Sequence, residues 1–126
     1  ELPGVNEMPD TRYQMPEARL MQNAPNPFFR ETQIAYSVWP MAETGDAIGH
    51  KPLAISLRVY DASGRLVKTL VDESQESGTH ASTWDGRDEG GDPVPSGVYF
   101  YRLRTRDTDG GQAGDQTPTK KMVLLR

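Results

Sequence analysis

Apolar and polar residues alternate with a period of two in a series of short runs, and no segment sustains a helical period. Thr32 to Val38 reads T-Q-I-A-Y-S-V and puts Ile34, Tyr36 and Val38 on one face. Leu53 to Tyr60 reads L-A-I-S-L-R-V-Y: Leu53, Ile55, Leu57 and Val59 share one face, and Ala54, Ser56, Arg58 and Tyr60 the other. Asp61-Ala62-Ser63-Gly64 follows, with Asp where its carboxylate can accept from turn amides and Gly where a positive φ is needed. This predicts a hairpin with a bulged turn, returning along Arg65 to Val71. Thr79 to Trp84 reads as another strand, and Asp85 to Ser96, with three glycines and two prolines, as loop. Val98 to Arg106 puts Tyr99, Tyr101 and Leu103 on one side, and Lys120 to Leu125 forms the last strand. With a short run at Arg19 to Gln22, about seven strands emerge. Short strands spaced by turn signals predict an all-β, immunoglobulin/fibronectin-like antiparallel β-sandwich. Pro3, Pro9 and Pro16 make residues 1–17 a linker or extended lead-in, leaving 18–126 for the sandwich.

Composition narrows the function. A chain of 126 residues suits one domain. At that size about two thirds of the unfolded surface is buried, enough for one core. Leu, Ile, Val and Phe number only 23, but the net charge of −4 is too small for a disordered chain. The expected molecule has a modest core and long polar loops. The absence of cysteine removes disulfide scaffolds, thiol nucleophiles, Cys-ligated zinc and iron–sulfur clusters. No apolar run approaches the roughly 20 residues of a membrane span. A pI near 5.1, with 14 Lys and Arg scattered along the chain, argues against nucleic acid. Glu1 opens no signal peptide, so the chain is a cytosolic protein or a piece of a longer one.

The candidate chemistry is sparse. His50 and His80 lack H-x-x-x-H spacing and read as solvated surface residues. The carboxylates sit mostly in turns, where they accept from backbone amides. The loop Asp85–Asp92 places Arg87 at a would-be calcium ligand position. The loop 107–115 is the better calcium candidate, because Asp107, Asp109 and Asp115 have no basic neighbour within it. Its pattern departs from the EF-hand, with Gly111 at the third ligand position. Trp84, Tyr99, Phe100 and Tyr101 have the chemistry of a sugar platform. Their spacing favours the core, with one tyrosine hydroxyl seeking a backbone acceptor as in a tyrosine corner. No phosphate-cradling glycine motif and no nucleophile–base constellation is present, so the reading is non-enzymatic.

Five words in order carry a family resemblance. They are Gln22-Asn23-Ala24-Pro25-Asn26-Pro27-Phe28, Val59-Tyr60-Asp61-Ala62-Ser63-Gly64-Arg65-Leu66-Val67, Trp84-Asp85-Gly86, Ser96-Gly97-Val98-Tyr99-Phe100-Tyr101-Arg102-Leu103, and Lys121-Met122-Val123-Leu124-Leu125-Arg126. Over residues 18–126 they resemble the type A sorting domain of type IX secretion, a family closely similar to the immunoglobulin-like domain of the flagellar hook-capping protein. The resemblance implies a non-catalytic C-terminal module on a larger exported protein of a Gram-negative bacterium. Its partners are the N-terminal cargo domains of the same polypeptide and an outer-membrane translocon. It implies delivery to the cell surface or beyond, with cargo anchored to lipopolysaccharide and the domain often cleaved. Termination at Arg126 suits such a module. Sorting recognition is expected at Lys120, Lys121, Met122, Val123, Leu124, Leu125 and Arg126, read as an edge strand; equally, these residues merely close the sandwich. Segments 39–52 and 107–118 are longer than the family pattern, and the W-D-G-x-D-x-x-G form of 84–91 leans toward the hook-capping variant. Two other functions stay open: an adhesion or carbohydrate-binding module of a secreted enzyme, and a flagellar-type assembly module.

Overall fold

The computed structural model describes residues 17–39, 53–107 and 118–126. Seven antiparallel strands form two sheets: β1 (Glu17–Leu20), β2 (Thr32–Trp39), β3 (Leu53–Asp61), β4 (Leu66–Gln75), β5 (Gly78–Trp84), β6 (Gly97–Asp107) and β7 (Thr119–Leu124). The order is β1-β2-β5 in one sheet and β4-β3-β6-β7 in the other, a three-on-four immunoglobulin-like sandwich. The expected all-β fold is therefore the observed one.

The period-two faces are the core. Ile34, Tyr36 and Val38 of β2 oppose Ile55, Leu57 and Val59 of β3 and Tyr101 and Leu103 of β6, all 1% exposed or less. Met122 and Leu124 close the layer from β7. Trp84 packs its ring 5.7 Å from Phe28 and 5.4 Å from Tyr99, the second edge-on. Tilted and edge-on geometries are the favourable ones for aromatic pairs. The Tyr99 hydroxyl donates to the Pro95 carbonyl four residues upstream at 2.7 Å, which is the tyrosine corner anticipated from sequence.

The β3–β4 hairpin turns as the sequence predicts. Asp61 Oδ1 accepts from the amides of Ser63 and Arg65, each at 2.9 Å, and Gly64 takes φ +92°. The Ser63 hydroxyl also donates to Asp61, and these bonds hold its carboxyl below the usual range.

Two boundaries and one side chain differ from expectation. β1 lies two residues earlier than Arg19 to Gln22: its ladder with β2 ends at Leu20, and beyond it the chain touches β2 through the Met21 amide and the isolated Ala24–Gln33 bridge while Gln22 reaches over to β7. β4 continues past Val71 to Gln75; Asp72, Glu73 and Ser74 are exposed on this edge strand, so no apolar alternation marks them. His80 is half-buried on β5 rather than solvated, stacked 5.6 Å from the Tyr36 ring with Nε2 against the Glu76 carbonyl. His50, segment 39–52 apart from Trp39, and residues 1–16 lie outside the described residues.

Candidate functional site

The strand singled out for recognition is an edge strand whose outer side is already covered. β7 pairs with β6 from Gly97↔Leu124 to Arg102↔Thr119. Its free edge meets the segment 22–28, which contains two cis X-Pro bonds, at Pro25 and Pro27. Phe28 N donates to the Val123 carbonyl at 3.0 Å, and Leu125 N donates to the Phe28 carbonyl at 2.9 Å. Asn26 Oδ1 accepts from Val123 N at 2.9 Å, and Gln22 Nε2 donates to the Lys121 carbonyl at 2.8 Å. Four hydrogen bonds thus satisfy backbone groups that an open edge would offer to another chain. Phe28 anchors this clip with its fully buried ring.

Asn23 holds the clip to the sandwich. It is 3% exposed, donates its amide N to the Tyr101 hydroxyl at 2.8 Å, and donates Nδ2 to Thr32 Oγ1 and the Pro25 carbonyl. The Tyr101 hydroxyl in turn donates to the Met21 carbonyl at 2.8 Å. Burial pushes this phenol up to about 12, against the opposing pull of the Asn23 amide.

Arg126 ties the far end of β7 to the 84–96 loop. Its amide donates to Ser96 Oγ, its Nε to the Val94 carbonyl and its Nη2 to the Gly86 carbonyl, each at 2.7 Å. Gly86 has φ +75°, and a Cβ there would stand 2.7 Å from Arg126 Nη2. Only glycine meets both demands.

Recognition residues 120–126 therefore divide by side. Met122 and Leu124 are core, with no exposure. Lys121 and Arg126 are exposed, Leu125 is 40% exposed, and Lys120 and Val123 are half-buried. Trp84, Tyr99 and Tyr101 are buried, so the sugar platform drawn from them is not made; Phe100 stands half-buried on the opposite face. Of the calcium candidates, Asp107 ends β6, while Asp109 and Asp115 lie outside the described residues. In the other loop, Asp88 Oδ1 is occupied by the amides of Gly90 and Asp92, and Asp85 Oδ1 by that of Arg87. No cluster of three metal-binding side chains occurs among the described residues. No described helix is long and apolar enough to cross a membrane.

Sequence reasoning missed Gln22, Asn26 and the docking of Arg126. The signal was present as repeated Asn and Pro before Phe28, but polar residues in a proline-rich stretch carry no period that says what they face.

Comparison with known proteins agrees with the fold. Residues 52–111 match the FlgD Ig-like domain family. The basal-body rod modification protein FlgD of Salmonella typhimurium is 33% identical over 67 residues, which are 46% of this chain and 29% of that protein. The chain thus spans under a third of the length of the curated relatives it matches. The sensor domain of the anti-sigma factor RsgI4 from Pseudobacteroides cellulosolvens superposes with a TM-score of 0.51 at 14% identity, covering 89% of this chain and 78% of that one. The type IX secretion component PorZ of Porphyromonas gingivalis gives 0.46 at 22% identity, covering 83% of this chain and 11% of that one. The chain is an immunoglobulin-like β-sandwich module, similar in its middle to the Ig-like domain of FlgD.

Proposed function

We propose that this sandwich is a non-catalytic module that directs a larger polypeptide across the outer membrane of a Gram-negative bacterium and attaches it at the cell surface. The observation that carries the reading is convergence. Gln22–Phe28 covers the outer edge of β7, Ser96–Leu103 lies in and around its inner partner, and Gly86 receives Arg126. Four of the five words that resemble a sorting domain thus build one strand and its supports. Lys121 and Leu125 are exposed on or beside that strand, where a translocon can read them without unfolding the core.

The test is export of a reporter carrying an N-terminal signal and residues 18–126 in a host with type IX secretion. Surface delivery is expected, with loss on deleting 120–126. Undiminished delivery by the deletion rejects the reading.

The second reading is a flagellar-type assembly module, favoured by the 33% identity to FlgD. It predicts self-association at high concentration, whereas a sorting module stays monomeric by sedimentation.

A further inference from the structure

We propose that the outer face of the β4-β3-β6-β7 sheet binds a linear acidic polysaccharide. The cations look scattered along the sequence, but strand register gathers five of them on this face. Arg58 of β3 lies directly opposite Arg102 of β6, and Arg104 and Arg106 follow Arg102 at alternate positions, opposite Ser56 and Ala54. Lys121 of β7 faces Phe100 one row beyond. Among the described residues, register places one acid, Asp72 of β4, within this group, beside Ser56. A chain of net charge −4 thus concentrates positive charge on one wall.

Two features of this face are costly, and an arriving anion relieves the first. Like charges directly opposite on neighbouring strands are destabilising, and Arg58 and Arg102 are such a pair. Arg58 Nε is also buried without a hydrogen-bond acceptor, and a buried donor left unpaired carries a desolvation penalty. Arg104 has an interaction of its own, so the surface is assigned to Arg58, Arg102, Arg106 and Lys121.

The layout fits an extended chain. Successive residues on a strand rise about 3.3 Å, so Arg102 and Arg106 stand in line about 13 Å apart along β6. Ala54 and Ser56 beside it are short, leaving a low strip along β3. Guanidinium groups hold carboxylates through paired hydrogen bonds, which a column of arginines repeats along a polymer. The backbone beneath this face is already paired, so an acidic peptide could add no strand here and would bind through its carboxylates alone, the case that polyglutamate probes. A single-stranded nucleic acid needs open ring faces; here the Arg102 guanidinium sits 5.2 Å over the Tyr60 ring and Phe100 is half-buried. The inference deepens the attachment part of the proposed function and rests on that reading for where the polymer is met.

Calorimetry of the 126-residue chain with polygalacturonate tests it. Binding is expected at about 50 mM NaCl and weakens at least about tenfold by about 300 mM, as screening requires. The double variant R102Q/R106Q is expected to bind at least about tenfold more weakly while remaining folded, its thermal unfolding shifted only by the lost Arg58–Arg102 repulsion and Tyr60 stacking, and Asp72→Lys to bind more tightly. No binding, equal binding by R102Q/R106Q, or tighter binding of polyglutamate or single-stranded DNA would overturn the proposal. In the export assay, a reporter carrying R102Q/R106Q is expected to cross the outer membrane but escape into the medium. Failure of the wild-type module to export would reject the sorting reading and leave the calorimetric result standing.

Discussion

Tyr101 is the residue on which the two halves of the molecule meet. Its hydroxyl accepts from Asn23 N and donates to the Met21 carbonyl inside the sandwich. Tyr101→Phe leaves both backbone groups without this partner, and we expect a loss of about 1–3 kcal/mol in urea unfolding. The same phenol sets a pH limit. Its pKa is near 10 in the unfolded chain and about 12 in the folded one, so the folded state holds the proton more tightly. Its contribution is complete below pH 10 and is lost as pH rises through about 12. Burial moves Tyr36 and Tyr99 the same way and adds to this alkaline loss. Thermal unfolding followed from pH 9 to 12 should fall steeply over the upper part, and less steeply in Tyr101→Phe. At Gly86 the limit is steric: Gly86→Ala meets both a positive φ and the Arg126 guanidinium, and should cost about 1–2 kcal/mol while releasing Arg126.

At the scale of elements, β7 is stabilised from both sides, and its outer side is the more unusual. Asn26→Ala removes the acceptor for Val123 N, and we expect about 1 kcal/mol of destabilisation. Amide exchange should quicken at Val123 and Leu125 before the rest of β7. Uniform protection there would show that the clip contributes nothing to the edge. β4 is guarded by similar means: Glu89 accepts from Thr69 N at 2.7 Å and donates its own amide to the Val67 carbonyl. The strands were legible wherever one face is buried and the other wet, as in β2, β3 and β6. The hairpin at Asp61–Gly64 was legible because turn chemistry is local. The polar end of β4 was not, because an exposed edge strand has no face to hide. The clip was not, because its role lies in contacts with residues about a hundred positions away.

At the scale of the whole molecule, the sequence words read as separate signatures become one construction around β7. Their spacing could announce a family resemblance but not this convergence, which exists only after the sheet order brings β6 and β7 together beneath the clip. The basic face was hidden for the same reason: Arg58 and Arg102 are far apart in the chain and adjacent in the sheet. We propose that the exposed side chains on and beside this strand are read during export while its buried ones only support the fold. The decisive measurement is the fraction of a reporter fused to residues 18–126 that crosses the outer membrane, counted on the surface and in the medium together, comparing the wild type with K121E/L125S, alongside the thermal unfolding of both. Both substitutions fall on exposed side chains, so unfolding should be unchanged while that fraction drops at least about tenfold. An undiminished fraction in this variant would contradict the claim and leave β7 as a strand that only closes the sandwich.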